Sequence, residues 1–184
     1  MYGLVNKAVR DLVCATQGED VWEEIVELAG IDEDTFISMR PYPDELTYKL
    51  VAAASERLQL PAAAILTLFG EHWTKFTARE GYGDLIRGSG DSVEEFLGNL
   101  DAMHARVAMS FPELRPPSFR VERGDEGLLL HYMSEREGLA PMVVGLLTGL
   151  GAHFKEEVEV TQVKSRAEHG HDVFLVRTRA ASTT

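Results

Sequence analysis

The sequence predicts an α+β fold: a helical N-terminal lobe followed by a four-stranded antiparallel sheet with packed helices. Three observations predict it. Apolar residues recur with the 3.6-residue period of helices up to Phe111, Pro116 and Pro117 then forbid continuation of any helix, and the segments beyond alternate with the period of two that marks strands. At 184 residues the expectation is a single domain with one core, burying about 70% of its unfolded surface. Its helical lobe should occupy about 1–111 and its sheet-containing lobe about 112–184, the two closing on a cleft.

Each element has a local cause. Leu4, Val5, Ala8, Val9, Leu12 and Val13 make the first amphipathic helix. Val21, Trp22, Ile25, Val26, Leu28 and Ala29 make a second, with Gly30 where a left-handed C-cap belongs. Asp44 to Leu58 forms the third, and Pro61 opens the fourth, which runs through Leu68, Phe69, Trp73 and Phe76. Gly81, Gly83, Gly88 and Gly90 punctuate the next stretch. Ser92 with Glu95 then forms a capping box for a long helix over Val93 to Phe111. Strands are expected at Ser118–Glu122, Gly127–Ser134, Glu157–Val163 and Asp172–Thr178, paired as two hairpins, with a helix from Leu139 to Phe154 packed across them.

Composition excludes several functions. With 45% apolar and 26% charged residues the chain is globular rather than disordered. Its net charge is −12, and the acid is concentrated early: 8 basic against 19 acidic residues up to Asp101, then 10 against 11. Such a surface repels phosphate backbones and anionic lipid, which excludes nucleic acid and membranes as partners. Cys14 is the single cysteine, and its apolar setting predicts a small buried thiol in a reducing compartment. The opening lacks the pattern of a leader, and the longest apolar stretch, Leu139 to Leu150, is interrupted by Pro141, Gly145, Thr148 and Gly149. It is too short to span a bilayer, so a cytoplasmic protein is expected.

Two features carry chemistry. His104 shares an apolar helix stripe with Leu97, Leu100, Met103, Val107 and Phe111. It is either a core imidazole bonded to a backbone carbonyl or a metal ligand. Zinc asks for three or four protein ligands, and no His or Cys stands three or four residues away; haem brings four ligands of its own and suits a lone imidazole. Tyr132, Ser134 and Arg136 alternate along a strand, so their side chains leave one face. Two hydroxyls and a guanidinium there are either a solvated strand edge or a clamp for paired carboxylates. No nucleophile elbow, zinc-protease motif or phosphate loop occurs. His169 and His171 flank Gly170 in a turn and read as an exposed hairpin loop.

With its start Met1-Tyr2-Gly3-Leu4-Val5-Asn6, its helical run Asn99-Leu100-Asp101-Ala102-Met103-His104, the Pro116-Pro117 pair and Tyr132-Met133-Ser134-Glu135-Arg136 in that order, the chain resembles the H-NOX family over essentially its whole length. These are haem nitric-oxide/oxygen-binding domains of bacterial sensors and of soluble guanylate cyclase. Trp73 and Leu139-Ala140-Pro141-Met142 find counterparts in stand-alone sensors of cyanobacterial type. The resemblance implies haem b (Fe-protoporphyrin IX) as cofactor, His104 as proximal iron ligand, and Tyr132, Ser134 and Arg136 as the propionate clamp. It makes Pro117 the proline that presses the porphyrin out of plane and places Val5 against the opposite part of the ring.

The resemblance also implies a gas sensor rather than an enzyme. Oxygen-binding members present a tyrosine hydroxyl shortly before a Leu-Gly pair, and Met142 stands at that position here. A thioether is no donor, so nitric oxide and carbon monoxide are the expected ligands, with discrimination against oxygen; the Trp73 indole N–H is the other candidate donor. Signalling is expected through weakening of the proximal Fe–His bond, read by a separate protein such as a histidine kinase or a cyclic-dinucleotide enzyme. The alternative is a haem-free interaction module or a carrier of apolar small molecules.

Overall fold

The computed structural model describes residues 1–32 and 35–180. Its order is α1 (Gly3–Gln17), α2 (Glu19–Ala29), α3 (Asp44–Leu58), α4 (Ala62–Thr77), a π-helical turn (Ala78–Tyr82), α5 (Gly83–Arg87), α6 (Val93–Ser110), β1 (Ser118–Gly124), β2 (Gly127–Met133), α7 (Ala140–Phe154), β3 (Glu156–Lys164), α8 (Arg166–His169) and β4 (Asp172–Ala180). The four strands form one antiparallel sheet in the order β1-β2-β4-β3, two hairpins joined through β2 and β4.

Local chemistry sets the boundaries. Gly30 takes the left-handed conformation after α2 and returns its N–H to Glu27 and Val26 carbonyls, a conformation that costs glycine little. Ser92 caps α6 by accepting the Glu95 N–H at 3.2 Å, while the Glu95 carboxylate reaches back to the Asp91 N–H at 3.0 Å. The glycine-punctuated stretch after α4 is mostly helical: the chain runs on through the π turn into α5, kinking at Glu80 and Gly81. Two contacts from α1 fasten this kink, Lys7 to Glu80 at 3.5 Å and Asp11 to Arg79 at 2.5 Å.

Two hydrophobic clusters replace the single expected core. One joins α1, α2, α3 and α4 through residues such as Val9, Trp22, Ile25, Leu50, Ile65 and Phe69. The other joins α6, the sheet and α7 through Leu97, Leu100, Leu130, Leu147, Phe174 and Val176. Each fully buried Leu, Ile or Phe contributes roughly 1.5–3 kcal/mol. α7 serves both, since Val143 and Leu147 belong to the second cluster while Leu139 and Met142 pack against the first. Cys14 is half-buried rather than buried, and desolvation pushes its thiol up, away from nucleophilic character.

The outer face of the sheet holds a pair that the loop reading of His171 missed. His131 Nδ1 lies 2.9 Å from His171 Nε2, the rings stacking with centroids 5.2 Å apart. Arg120 and Glu122 of β1 flank the buried His131 at 3.5 Å each. Desolvation, aided by the Arg120 charge, holds the His131 ring below its ordinary pKa. The unfolded chain therefore takes up this proton first as pH falls, so stability present above the ordinary histidine value of about 6.5 is lost below it. Urea midpoints should drop between pH 7 and pH 5, and His131→Gln should flatten that slope; an unchanged slope would show that His131 does not titrate with folding.

Candidate functional site

Between the two clusters lies a cavity of about 350 Å³ with predominantly apolar walls, a size and character typical of small-molecule and cofactor sites. His104, Pro117, Tyr132, Ser134, Arg136, Val5, Trp73 and Met142 all line it. Residues that the sequence offers as separate weak signals are thus gathered around one space.

α6 brings His104 to the wall together with Leu97, Leu100, Met103 and Val107, as its apolar stripe requires, and Phe111 lines it directly after the helix ends. The imidazole packs against Phe119 of β1 in a tilted arrangement, with centroids 5.5 Å apart and planes at 33°. Its Nδ1 is buried without a hydrogen-bond partner among the described residues, so the carbonyl bond of an ordinary core histidine is absent. Burial pushes the ring's pKa down, opposed only in part by Asp101, so near neutral pH the ring is uncharged and one nitrogen carries a lone pair. A half-buried, neutral imidazole, its Nδ1 out of solvent, at the wall of an apolar cavity fits a haem iron.

Asp101, one turn before His104, ties α6 to the sheet. Its Oδ1 accepts the Phe119 N–H at 2.9 Å and the Ser118 hydroxyl at 3.0 Å, and these bonds, the backbone one first, hold its carboxyl below the usual carboxylate range. The strand so anchored begins directly after Pro117, which places that proline beside the histidine-bearing helix.

The three residues expected to form a carboxylate clamp depart from their prediction in one respect. β2 ends at Met133, where β1 supplies its last partner at Ser118 and β4 has already stopped at Asp172 opposite Tyr132. Ser134 and Arg136 therefore stand in the bend beyond the strand, and pleating does not align them. A side-chain bond tightens the bend instead: the Ser134 hydroxyl accepts the Arg136 N–H at 3.1 Å. Burial pushes the Tyr132 hydroxyl up, so it remains a donor near neutral pH.

Arg136 has partners that no local pattern announces. Its Nε donates to Asp44 Oδ2 at 2.7 Å, its Nη2 to Asp44 Oδ1 at 3.4 Å and its Nη1 to the Arg115 carbonyl at 2.7 Å. Two of its five N–H groups remain for a ligand carboxylate. Burial pushes the Asp44 carboxyl up, but the Met1 amino group and Arg136 outweigh it and hold the group ionised. Thr74, Thr77 and Tyr82 also line the cavity and were not singled out from the sequence, because none stands in a motif. The Thr77 hydroxyl is committed to the Trp73 carbonyl at 2.8 Å.

The family model described as Haem-NO-binding matches residues 2–162. The chain belongs to that family. Members of this Haem-NO-binding, or H-NOX, family bind haem, and the domain is a haem-based gas-sensing one rather than a catalytic one. Among curated relatives, a soluble guanylate cyclase of Caenorhabditis elegans is 31% identical over 179 residues, covering 95% of this chain and 26% of the relative. The beta-2 subunit of the Rattus norvegicus enzyme is 42% identical over 130 residues, covering 64% and 18%. The chain thus spans about a quarter or less of these relatives. Two solved H-NOX structures share the fold. One from S. oneidensis, in the Fe(II)NO state, superposes with a TM-score of 0.87 at 21% identity, covering 97% of this chain and 99% of that one. One from K. algicida, Fe(II) and unliganded, gives 0.85 at 20% over the full length of both. No helix among the described residues of this H-NOX chain is long and apolar enough to cross a membrane.

Proposed function

We propose that this H-NOX domain senses nitric oxide, also takes carbon monoxide, and discriminates against oxygen. The supporting observation is the set of groups that share the cavity: a neutral, half-buried His104, a carboxylate clamp at Tyr132, Ser134 and Arg136, and a thioether at Met142 where oxygen-binding members carry a phenol. Bound haem supplies a ferrous iron on which diatomic gases coordinate. His104 would hold that iron, Arg136 and the two hydroxyls would hold the propionates, and Pro117 and Val5 would pack on the ring. A haem-free carrier would need the apolar walls but gives no reason for the imidazole and the clamp to share them.

Discrimination rests on what this chain leaves out. Oxygen is retained when a hydrogen-bond donor faces it, and Met142 offers none. Signalling rests on what His104 is tied to. Its helix is fastened to β1 through Asp101 and through the ring contact with Phe119, so a change in how firmly His104 is held shifts α6 and the segment behind Pro117 together, giving two states whose populations a ligand can bias. The reader of that change is a partner protein or effector domain, such as a histidine kinase, a cyclic-dinucleotide enzyme or a cyclase like the relatives above. A basic partner surface complements the acid of the helical lobe, which salt-dependent association would reveal.

The deciding experiment is visible spectroscopy of the reduced, haem-loaded protein. Nitric oxide should give a five-coordinate nitrosyl spectrum, carbon monoxide a stable complex, and air no stable oxygen complex. An oxygen complex that persists in air would overturn the discrimination and would turn attention to the Trp73 indole and the Tyr82 phenol.

A further inference from the structure

We propose that Arg166, on the β3–β4 hairpin tip, is the positioning residue that gives the carboxylate clamp its shape. This rests on the haem reading above and deepens it. Ser134 and Arg136 lie past the end of β2, so no strand partner holds their backbone. Arg166 supplies what the ladder lacks: its Nη1 donates to the Ser134 carbonyl at 2.5 Å and to the Arg136 carbonyl at 3.2 Å. One guanidinium nitrogen therefore bridges alternate carbonyls of the bend and fixes the spacing of the two side chains that the clamp uses.

Arg166 is itself held from the same place. Its backbone N–H donates to Asp172 Oδ1 at 2.8 Å, and that buried carboxylate also accepts from Gln162 Nε2 at 2.8 Å. Asp172 pairs in register with Tyr132. The result is a closed circuit from Tyr132 across the sheet to Asp172, along the hairpin tip to Arg166, and back to Ser134 and Arg136. All three clamp residues are thus referred to one hairpin tip. A second fastening, the His131–His171 contact at 2.9 Å, holds the far side of that tip to β2. Charge-assisted bonds to backbone carbonyls are stronger than neutral ones and geometrically demanding for a planar guanidinium, which suits a group whose task is to define a bend.

The role is separable from general stability by the choice of porphyrin. Haem offers two carboxylates to the clamp, whereas haem dimethyl ester offers none, so only the free acid reports on clamp geometry. The wild-type chain should retain haem at least tenfold better than the diester, measured by transfer to an excess of a competing apoprotein. Arg166→Ala should remove most of that tenfold preference while leaving retention of the diester unchanged. Arg166→Lys, which keeps the charge and flexible donors, should recover part of it. Should the alanine variant fail to fold, Arg166→Lys and Arg166→Gln carry the same comparison. An undiminished preference for the free acid, or equal losses for both porphyrins, would overturn the positioning role alone. A wild-type chain that takes up no haem, or shows no preference between the two porphyrins, would overturn the haem and clamp assignments and this inference with them.

Discussion

His104→Ala should abolish the protein's ligation of haem iron, and imidazole added at millimolar concentration should restore it. The expected readouts are loss of the histidine-ligated ferrous spectrum, haem retention lowered by at least tenfold, and recovery of the spectrum with imidazole. The substitution is mild for the fold. Alanine is the best helix former, so α6 loses nothing in propensity. The Nδ1 atom removed is buried without a partner, and an unsatisfied polar group of this kind costs about 1–3 kcal/mol. That relief offsets the lost packing against Phe119, so the urea midpoint of the haem-free chain should change little. The space left by the ring opens on the cavity, which lets free imidazole enter where the side chain stood. A variant whose spectrum matches wild type and ignores imidazole would return His104 to the role of a core histidine and would remove the basis of the gas-sensing assignment.

The sequence shows elements whose causes are local and conceals those whose causes are distant. The span of α3, Asp44–Leu58, reads directly from the apolar pattern along it, and the Ser92 cap of α6 from a four-residue pattern. The π turn was hidden because Gly81 and Gly83 suggest a loop, whereas the segment is held helical by α4 and fastened by Lys7 and Asp11, some seventy residues earlier. Tyr132, Ser134 and Arg136 do converge, but for a reason other than strand alternation. The convergence comes from Asp44, 92 residues from Arg136, and from Arg166, 30 or more residues from the carbonyls it binds. A motif names the groups that touch a ligand; the groups that hold the motif in shape come from other elements and carry no spacing signal of their own. His131 escaped notice for the same reason, since its partner His171 meets it only when β2 and β4 pair.

Gly145→Ala should be among the most damaging single-methyl changes in the chain. Gly145 of α7, which interrupts an apolar run in the sequence, and Gly70 of α4 face each other's backbones where the two helices cross. A Cβ on Gly145 would stand 2.0 Å from the Thr67 carbonyl oxygen and 2.8 Å from its carbon, and one on Gly70 would stand 2.2 Å from the Met142 oxygen. These are backbone atoms within helices, so no rotamer change relieves the clash and the helices themselves must part. Overpacking costs about 1–3 kcal/mol when side chains can yield; with only backbone to move, roughly 3 kcal/mol or more is expected, out of a total stability of about 5–15 kcal/mol. The consequence reaches the site, because α4 carries Trp73 and Thr74 to the cavity wall and α7 carries Met142 and Leu146. Haem retention should therefore fall along with the urea midpoint. Gly70→Ala should act alike, and the double variant should cost less than the two together, since both part the same helices. Gly98→Ala provides the opposite sign: it lies on α6 with nothing within 4 Å of its added Cβ, so the gain in helix propensity, about 1 kcal/mol, should raise the midpoint. If Gly145→Ala costs less than about 0.5 kcal/mol, within the range of an ordinary surface change, then the α4–α7 crossing is not set by these glycines and the cavity wall is more yielding than the close backbone approach implies.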